Sequence, residues 1–237
     1  MSEYQILNGD CLEVIKSLDV KVDLILTDPP YIHEGSGGNG MLKCNALERN
    51  GFNMKTLGDF KQESIYKFLN VTKPLMDKPQ WFVFCSEKQI PYYTTWALEN
   101  KFKFNILVWC KPCAVTNRER FSTNLEYIIR IYTKGCALNK LDLQQYPEKS
   151  KYYSKWKDTK RVSGKKKLHP SEKPIELLKE ILELTTIEGD TILDCYMGSC
   201  TSGIACKELN RRYIGIELNE QYYKIAVDRI SGYIHID

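Results

Sequence analysis

Short apolar runs alternate with helical stripes along the chain. The run at residues 22–27 is rich in branched side chains and stops at Asp28-Pro29-Pro30, because proline lacks the amide donor that a strand ladder needs. Six further segments share the strand pattern: residues 6–7, 81–85, 105–109, 126–132, 191–193 and 213–216. Helical spacing covers residues 59–76, 89–98, 175–185 and 203–209, and it begins again near residue 219. Strands alternating with helices predict an α/β fold with a mostly parallel sheet and helices on both faces.

Two segments lack this periodicity. Residues 34–53 contain five glycines, which predicts a flexible loop. Residues 136–168 are polar and basic, which is typical of an insertion between core elements. A chain of 237 residues can bury one sizeable core, so we expect a single domain over residues 1–237 that carries both segments.

Composition and charge narrow the class of protein. The apolar runs are far shorter than the roughly 20 residues of a membrane span, and no signal-peptide pattern follows Met1, so we expect a cytoplasmic protein without a membrane partner. Nine scattered cysteines do not suggest a disulfide framework. The net charge is only +4, yet residues 148–168 hold nine Lys or Arg against two acids. The basicity is therefore local, which favours an anionic partner at that segment.

The tetrapeptide Asp28-Pro29-Pro30-Tyr31 follows a predicted parallel strand, where open α/β sheets place their ligands. An exocyclic base amine is a poor nucleophile, because its lone pair is delocalised into the ring. A carboxylate and a rigidly held carbonyl, here Asp28 and Pro29, can accept its two N–H groups and favour a pyramidal nitrogen. Tyr31 offers a flat face for an extruded base. The alternative is an ordinary turn, in which Asp and Pro are common.

A second candidate site combines a small-residue turn with a distant acid. Residues 193–203 form a strand and a turn around Gly198, and the next strand ends at Glu217. An acidic residue about 20 positions after such a turn can hold the ribose hydroxyls of a nucleoside cofactor. The alternative is a plain strand-helix-strand unit with an exposed Glu. NAD is a weaker candidate, because the Gly-x-Gly-x-x-Gly pattern is absent.

The order of these motifs resembles the amino-group DNA methyltransferases, in the circularly permuted group whose catalytic motif precedes the cofactor motif. Asp28 to Tyr31 matches the catalytic tetrapeptide of that family, and residues 194–203 are similar to its Asp-Pro-Phe-x-Gly-Ser-Gly-Thr loop. Residues 169–174 resemble its His-Pro-x-x-Lys-Pro element, and residues 6–13 its opening Gly-Asp element. Residues 108–112 and 124–128 look like its paired strands beside the target base. The resemblance covers nearly the whole chain.

The resemblance implies a fold, a reaction and a set of site residues. The fold is Rossmann-like, with a mostly parallel seven-stranded sheet and a circularly permuted motif order. The reaction is site-specific methyl transfer from S-adenosylmethionine to adenine N6 in DNA, on a flipped base. The catalytic residues would be Asp28, Pro29, Pro30 and Tyr31. The cofactor would be held by Asp10, Cys11, His169, Ser171, Lys173, Asp194, Tyr196, Gly198, Ser199, Thr201 and Glu217.

Three residues of the cofactor loop depart from the family pattern. Cys195 stands in place of the usual Pro, Tyr196 in place of Phe, and Cys200 in place of the second Gly. Tyr196 keeps an aromatic face beside the cofactor, whereas Cys200 needs a backbone conformation that a side chain tolerates. We expect these changes to affect cofactor affinity rather than the class of reaction.

Several alternatives stay open at the level of sequence. Asp rather than Ser at position 28 resembles the adenine-directed members, while Ser is commoner in cytosine N4 enzymes. Cytosine N4 is therefore the nearest alternative target. A methyltransferase-like subunit that binds DNA without turnover is a second alternative, and methylation of RNA or of a protein amide is a third.

Lysines interleaved with aromatic side chains in the basic segment suggest contacts with DNA. Lysine can neutralise phosphates while aromatic rings stack on bases; the alternative is a solvated charged loop. The candidate DNA-binding residues are Lys151, Tyr153, Lys155, Trp156, Lys157, Lys160, Arg161, Lys165 and Lys166. Further candidate partners are a second copy of the chain and a companion restriction enzyme, in a bacterial or phage-encoded setting.

One motif points elsewhere. Cys110 and Cys113 have thioredoxin-like spacing, but the residues that follow lack a helical stripe, so we do not expect redox chemistry. No second Cys or His pair follows at zinc-finger spacing, so we expect no metal site.

Overall fold

The computed structural model describes residues 3–31, 60–115, 123–136, 138, 155–156, 168 and 171–232. The predicted loop at residues 34–53 and most of the basic insertion at residues 136–168 lie outside this range. The described residues contain no helix that is long and apolar enough to cross a membrane.

The strands form one sheet. They are β1 (Tyr4–Asn8), β2 (Leu24–Thr27), β3 (Gln80–Cys85), β4 (Lys103–Val115), β5 (Thr123–Tyr132), β6 (Lys155–Trp156), β7 (Thr191–Asp194) and β8 (Arg212–Glu217). The order across the sheet is β1-β8-β7-β2-β3-β5-β4-β6. The five strands from β1 to β3 run parallel, β5 is antiparallel to both β3 and β4, and β6 is parallel to β4. The seven predicted strands are confirmed, and the two-residue β6 adds an eighth at the edge.

The structure describes six helices, of which the first and the last have side-chain caps. They are α1 (Cys11–Val14), α2 (Gln62–Thr72), α3 (Ile90–Glu99), α4 (Ile175–Thr185), α5 (Thr201–Glu208) and α6 (Glu220–Ile230). The Asp10 carboxylate accepts from the Leu12 amide at the start of α1, and Asn219 accepts from two amides at the start of α6. Short 3₁₀ turns follow α1 and α2 at Ile15–Ser17 and Lys73–Leu75.

Both faces of the sheet are covered. Trp81, Val83 and Cys85 of β3 point to one face and pack with α1, α2 and α3, while the alternating Phe82 and Phe84 pack on the other with α4, α5 and α6. This arrangement confirms the predicted α/β class with helices on both sides. The central β2 is buried at all four positions, as expected for a strand that lies between parallel neighbours.

Candidate active site

Asp28 lies at the carboxyl end of β2, between the ends of β7 and β3. Its Oδ2 atom is 2.5 Å from the Lys173 ammonium. Its Oδ1 atom is buried and has no hydrogen-bond partner among the described residues. A buried acceptor without a partner costs free energy, so an unpaired carboxylate oxygen at a strand end is typical of a binding position for a donor group.

A charged network surrounds this carboxylate. The Lys173 ammonium also lies 2.7 Å from Glu126 Oε1, and the Lys111 ammonium lies 2.7 Å from Glu126 Oε2. The Tyr31 hydroxyl donates to Glu126 Oε1 over 2.7 Å. Two carboxylates and two ammonium groups thus compensate each other in a largely buried position.

The charges in this network perturb one another. Burial raises the pKa of Asp28, and the negative charge of Glu126 adds to the shift, while Lys173 opposes it. Burial also disfavours ionised Glu126, but Lys173 and Lys111 lower its pKa to about 2. Burial disfavours the Lys173 ammonium, yet Asp28 and Glu126 raise its pKa. Glu126 and Lys173 therefore remain ionised at neutral pH.

The tetrapeptide is held from behind by Gln89, a fully buried residue just before α3. Its side-chain amide donates to the carbonyls of Pro30 and Phe60, each over 3.0 Å. Its side-chain oxygen accepts from the Ser86 amide. These bonds fix the backbone of the tetrapeptide relative to β3.

The part of the site that the family motifs assign to the cofactor, called the cofactor side below, is built around Glu217 at the end of β8. Glu217 Oε2 accepts from the Gly198 amide over 3.0 Å, and Oε1 accepts from the Asn219 amide over 2.8 Å. Gly198 has φ of 53°, a left-handed conformation that glycine adopts readily. Each carboxylate oxygen keeps one free lone pair, so Glu217 can still accept from ribose hydroxyls.

Asp194 ends β7 and contacts the protein through both oxygens. Oδ1 accepts from the Thr27 hydroxyl over 2.7 Å and from the Tyr196 amide over 3.1 Å. Oδ2 accepts from the Ser202 hydroxyl over 2.5 Å, and Ser202 in turn bonds to Tyr213. Burial raises the pKa of Asp194 to about 6. Asp194 therefore links the ends of β7 and β2 to the start of α5.

The turn after β7 is tied to distant elements. The Arg229 guanidinium on α6 donates to the Ser199 carbonyl over 3.0 Å and to the Thr201 hydroxyl over 3.0 Å. It also pairs with Glu172 over 2.8 Å. Cys200 is fully buried and left-handed, with φ of 65° and ψ of 33°. The cysteine thus adopts the backbone that the glycine of the family pattern would favour.

The other residues assigned to the cofactor fall into different environments. Asp10 is exposed and caps α1, and Cys11 is buried behind it. Tyr196 packs edge-on against Phe60, with ring centroids 5.6 Å apart. Ser171 is exposed. His169 lies outside the described residues.

Lys173 lies beside the tetrapeptide. The resemblance assigned it to the cofactor, and in the structure its ammonium bonds to Asp28 and Glu126. Pro174 has an extended backbone just before α4, and residue 173 reaches the end of β2. The contact of Lys173 with S-adenosylmethionine stays a prediction.

Within the basic insertion the structure describes residues 136, 138 and 168 and the two residues of β6. Lys155 and Trp156 pair in parallel with Val108 and Trp109 of β4, which places β6 beside the strand that contains Lys111. The remaining DNA-binding candidates lie outside the described residues: Lys151, Tyr153, Lys157, Lys160, Arg161, Lys165 and Lys166.

Five residues of the site were not named as site residues from the sequence: Lys111, Glu126, Gln89, Glu172 and Arg229. The first two and Glu172 lie within the segments 108–112, 124–128 and 169–174 that the resemblance placed near the target base or the cofactor. A charged residue inside the apolar strand pattern at residues 126–132 was a usable signal for Glu126, since an unpaired carboxylate is rarely buried. Gln89 and Arg229 act through long-range contacts that no local pattern shows. The Cys110 motif lies within β4, which lacks the helix start that thioredoxin-type thiols require. No cluster of three or more metal-ligating side chains occurs in the described part of the chain.

Comparison with known proteins agrees with this arrangement. The family described as DNA methylase, which groups N6 and N4 enzymes, matches residues 22–228. The type II methyltransferase M2.DpnII of Streptococcus pneumoniae is 30% identical over 226 residues, covering 89% of this chain and 83% of that protein. The type II methyltransferase M.HinfI of Haemophilus influenzae is 26% identical over 246 residues, covering 95% of this chain and 67% of that protein.

Two solved structures share the fold. The complex of M1.HpyAVI with SAM superimposes with a TM-score of 0.70 at 27% identity, over 95% of this chain and 99% of that one. The cytosine-N4-specific PvuII DNA methyltransferase gives a TM-score of 0.70 at 17% identity, over 96% of this chain and 88% of that one. With its family match spanning residues 22–228, the chain belongs to the N6/N4 DNA methylase family.

Proposed function

We propose that this chain transfers a methyl group from S-adenosylmethionine to adenine N6 at a specific site in DNA. The observation that carries the proposal is Asp28 Oδ1, a buried acceptor without a partner among the described residues, next to Tyr31 at the end of β2. An N–H group of the target amine would satisfy this oxygen, as its burial requires.

Asp28 and Pro29 prepare the amine for attack. Hydrogen bonds from both N–H groups, one to Asp28 Oδ1 and one to the Pro29 carbonyl, favour a pyramidal nitrogen whose lone pair is free to react. Asp28 also stabilises the positive charge that develops on the nitrogen. Gln89 holds the neighbouring Pro30 carbonyl, so the geometry of the tetrapeptide is set before the base arrives.

Tyr31 provides the surface for the flipped base. Its hydroxyl is fixed by Glu126 and its ring centroid lies 5.5 Å from the Lys173 ammonium, so both ends of the side chain are positioned. A partly exposed aromatic ring in a fixed orientation can stack on a base that has left the duplex.

The residues of the cofactor side fit a nucleoside with a charged methionine chain. Glu217 would accept from the ribose hydroxyls, and the turn at Gly198 lets the backbone approach closely. Asp10, Tyr196, Ser199 and Thr201 line the same strand ends or turns, as the family motifs imply. When bound, S-adenosylmethionine supplies the sulfonium methyl group.

DNA is the proposed macromolecular substrate. The basic insertion pairs through β6 with the strand that leads to Lys111, which would bring its lysines to the rim of the target site. Phosphate contacts there would position the duplex without reading its sequence. A second copy of the chain, a companion restriction enzyme and a bacterial or phage-encoded cytoplasmic setting stay predictions.

The experiment is methyl incorporation by the full chain from labelled S-adenosylmethionine into unmodified duplex DNA and into RNA. Hydrolysis and chromatography should recover label as N6-methyladenine, and long-read sequencing of DNA from expressing cells should place it in one motif. Recovery of label as N4-methylcytosine would mean that the target base is cytosine rather than adenine. Label found only in RNA would mean that the substrate is RNA rather than DNA. If the chain binds S-adenosylmethionine but incorporates no label into DNA or RNA, the alternative of a DNA-binding subunit without turnover would replace the proposal.

A further inference from the structure

Glu126 is an unusual residue for its place in the fold. It lies on β5, two positions before the fully buried Ile128 and Ile129 pair, and its side chain is only 9% exposed. Burying a carboxylate costs several kcal/mol unless strong partners compensate. A neutral residue would stabilise the strand with less cost, which suggests a role beyond the fold.

Glu126 is the shared partner of three side chains from three separate segments. Oε1 accepts from Lys173 and from the Tyr31 hydroxyl, and Oε2 pairs with Lys111, each over 2.7 Å. Tyr31 belongs to the tetrapeptide, Lys111 to β4, and Lys173 to the segment before α4. One carboxylate therefore sets the relative positions of the elements around Asp28.

Because two carboxylates share Lys173, this lysine determines both the rotamer and the remaining charge of Asp28. Lys173 lies 2.5 Å from Asp28 Oδ2 and 2.7 Å from Glu126 Oε1. Its bond to Oδ2 fixes the Asp28 rotamer and leaves Oδ1 unpaired. Because the same ammonium also serves Glu126, it neutralises Asp28 less than an exclusive ion pair would, and Asp28 keeps negative charge for the nitrogen that becomes cationic.

We propose that Glu126 is a positioning residue for methyl transfer, which acts through Lys173 and Tyr31 without touching the base. This inference rests on the proposed function, because it assigns to Asp28 the role described there. Glu126 holds Lys173 between two carboxylates, holds the Tyr31 ring in its stacking orientation, and is itself anchored from the solvent side by Lys111.

Glu126→Gln tests the proposal, because it removes the charge and keeps the shape. We expect kcat to fall about 10- to 100-fold, as for a misplaced reacting group. The KM for S-adenosylmethionine should change less than about twofold, since Glu126 is not among the hydrogen-bond partners of Glu217 and Asp194 in the described part of the chain. Glu208→Gln is the matched control, because Glu208 lies at the end of α5 and is a half-exposed partner of Lys179 on α4. This variant should leave both parameters unchanged.

The pH profile separates positioning from simple structural support. The charge of Glu126 raises the pKa of Asp28, so Glu126→Gln should move the acid limb of kcat/KM to lower pH. Lys111→Met removes a positive charge from the same network and should move that limb to higher pH. A loss of folding stability alone would lower the yield of active enzyme without shifting the limb in either direction.

The outcomes are distinguishable from failure of the proposed function. If the unsubstituted chain methylates DNA and Asp28→Ala does not, the proposed function stands. Glu126→Gln with an unchanged kcat and an unmoved acid limb would then overturn the positioning role alone. If Glu126→Gln does not fold, Lys111→Met decides, since Lys111 is 21% exposed at the edge of the network and its replacement spares the buried carboxylate.

Discussion

The two sides of the site solve the burial of carboxylates in different ways. On the cofactor side, Asp194 and Glu217 accept only from neutral amides and hydroxyls, and each of their oxygens has a partner. On the target side, Asp28 and Glu126 are compensated by lysines, and Asp28 Oδ1 has no partner among the described residues. The cofactor side is thus pre-organised by dipoles, whereas the target side is organised by charges around one unmet hydrogen bond.

This difference suggests a division of labour. Carboxylates that are held only by neutral donors keep their negative charge without a counter-ion, so they suit a ligand that brings its own positive charge. The fixed donors need little rearrangement when such a ligand binds. Ion pairs around an unpaired oxygen favour a ligand that donates hydrogen bonds and becomes cationic during the reaction. Substitutions on the two sides should therefore affect different quantities: binding or folding on the first, and turnover on the second.

The largest effect is expected on the target side. Asp28→Asn keeps the shape but replaces a charged acceptor, so the rate of methyl transfer in single turnover should fall about 10²- to 10³-fold or more, as when a key electrostatic group is removed. Calorimetry should find the affinity for S-adenosylmethionine nearly unchanged. Asp77→Asn, at an exposed ion pair with Lys21, serves as the control. Turnover retained by Asp28→Asn would contradict its assignment.

On the cofactor side, Asp194 should make stability depend on pH. The pKa of Asp194 is raised by burial to about 6 from its usual 3.8, so the folded state holds a proton that the unfolded state has released. Stability from this group is present below pH 4, falls as pH rises towards 6, and then stays low. Asp194→Asn can keep both bonds to Oδ1 and donate to Ser202. The pH-dependent decrease in the free energy of unfolding, on the order of 3 kcal/mol, should therefore be absent from this variant.

Denaturant unfolding of the two proteins at pH 4.5, 5.5, 6.5 and 7.5 would measure the predicted difference. The free energy of unfolding of the unsubstituted chain should decline relative to Asp194→Asn over this window. Parallel curves for the two proteins would mean that Asp194 does not titrate in the folded state as its burial implies.

Glu217→Gln should weaken cofactor binding more than turnover. The glutamine side chain has one oxygen, so one of the two backbone donors, Gly198 or Asn219, is left without its acceptor. The variant also loses the negative charge that strengthens hydrogen bonds from the ribose hydroxyls. We expect the dissociation constant for S-adenosylmethionine to rise about tenfold or more, with kcat at saturation within about threefold. Calorimetry and initial rates at high cofactor concentration separate the two, and a selective loss of kcat would contradict the division of the site.

The smallest predicted effect concerns the backbone at Cys200. Cys200→Ala keeps a side chain at a left-handed φ of 65°, whereas Cys200→Gly relieves this conformation. Both remove the buried sulfur, so the glycine variant should be more stable than the alanine variant by about 1 kcal/mol. Urea unfolding of the pair measures it, and a less stable glycine variant would show that the left-handed backbone costs little here.

Periodicity was sufficient to predict the seven main strands, because each packs apolar side chains against the core and its pattern follows from that packing. It missed β6, since two residues within a polar segment carry no periodic signal. The strand ends at Asp28 and Glu217 could be predicted as sites, because parallel sheets place ligands there. The Lys173–Asp28 pair joins residues 145 positions apart, and the Arg229 contacts depend on how α6 packs, so neither could be read from local sequence.

The order of strands in the sheet has a consequence for synthesis of the chain. β1 pairs only with β8 among the described strands, and β2 borders β7, although both of these neighbours come near the end of the described sequence. While a ribosome is still translating the middle of the chain, β1 has no neighbour and one edge of β2 is open. Such edges attract other strands, so the nascent protein should depend on prompt completion or on chaperones.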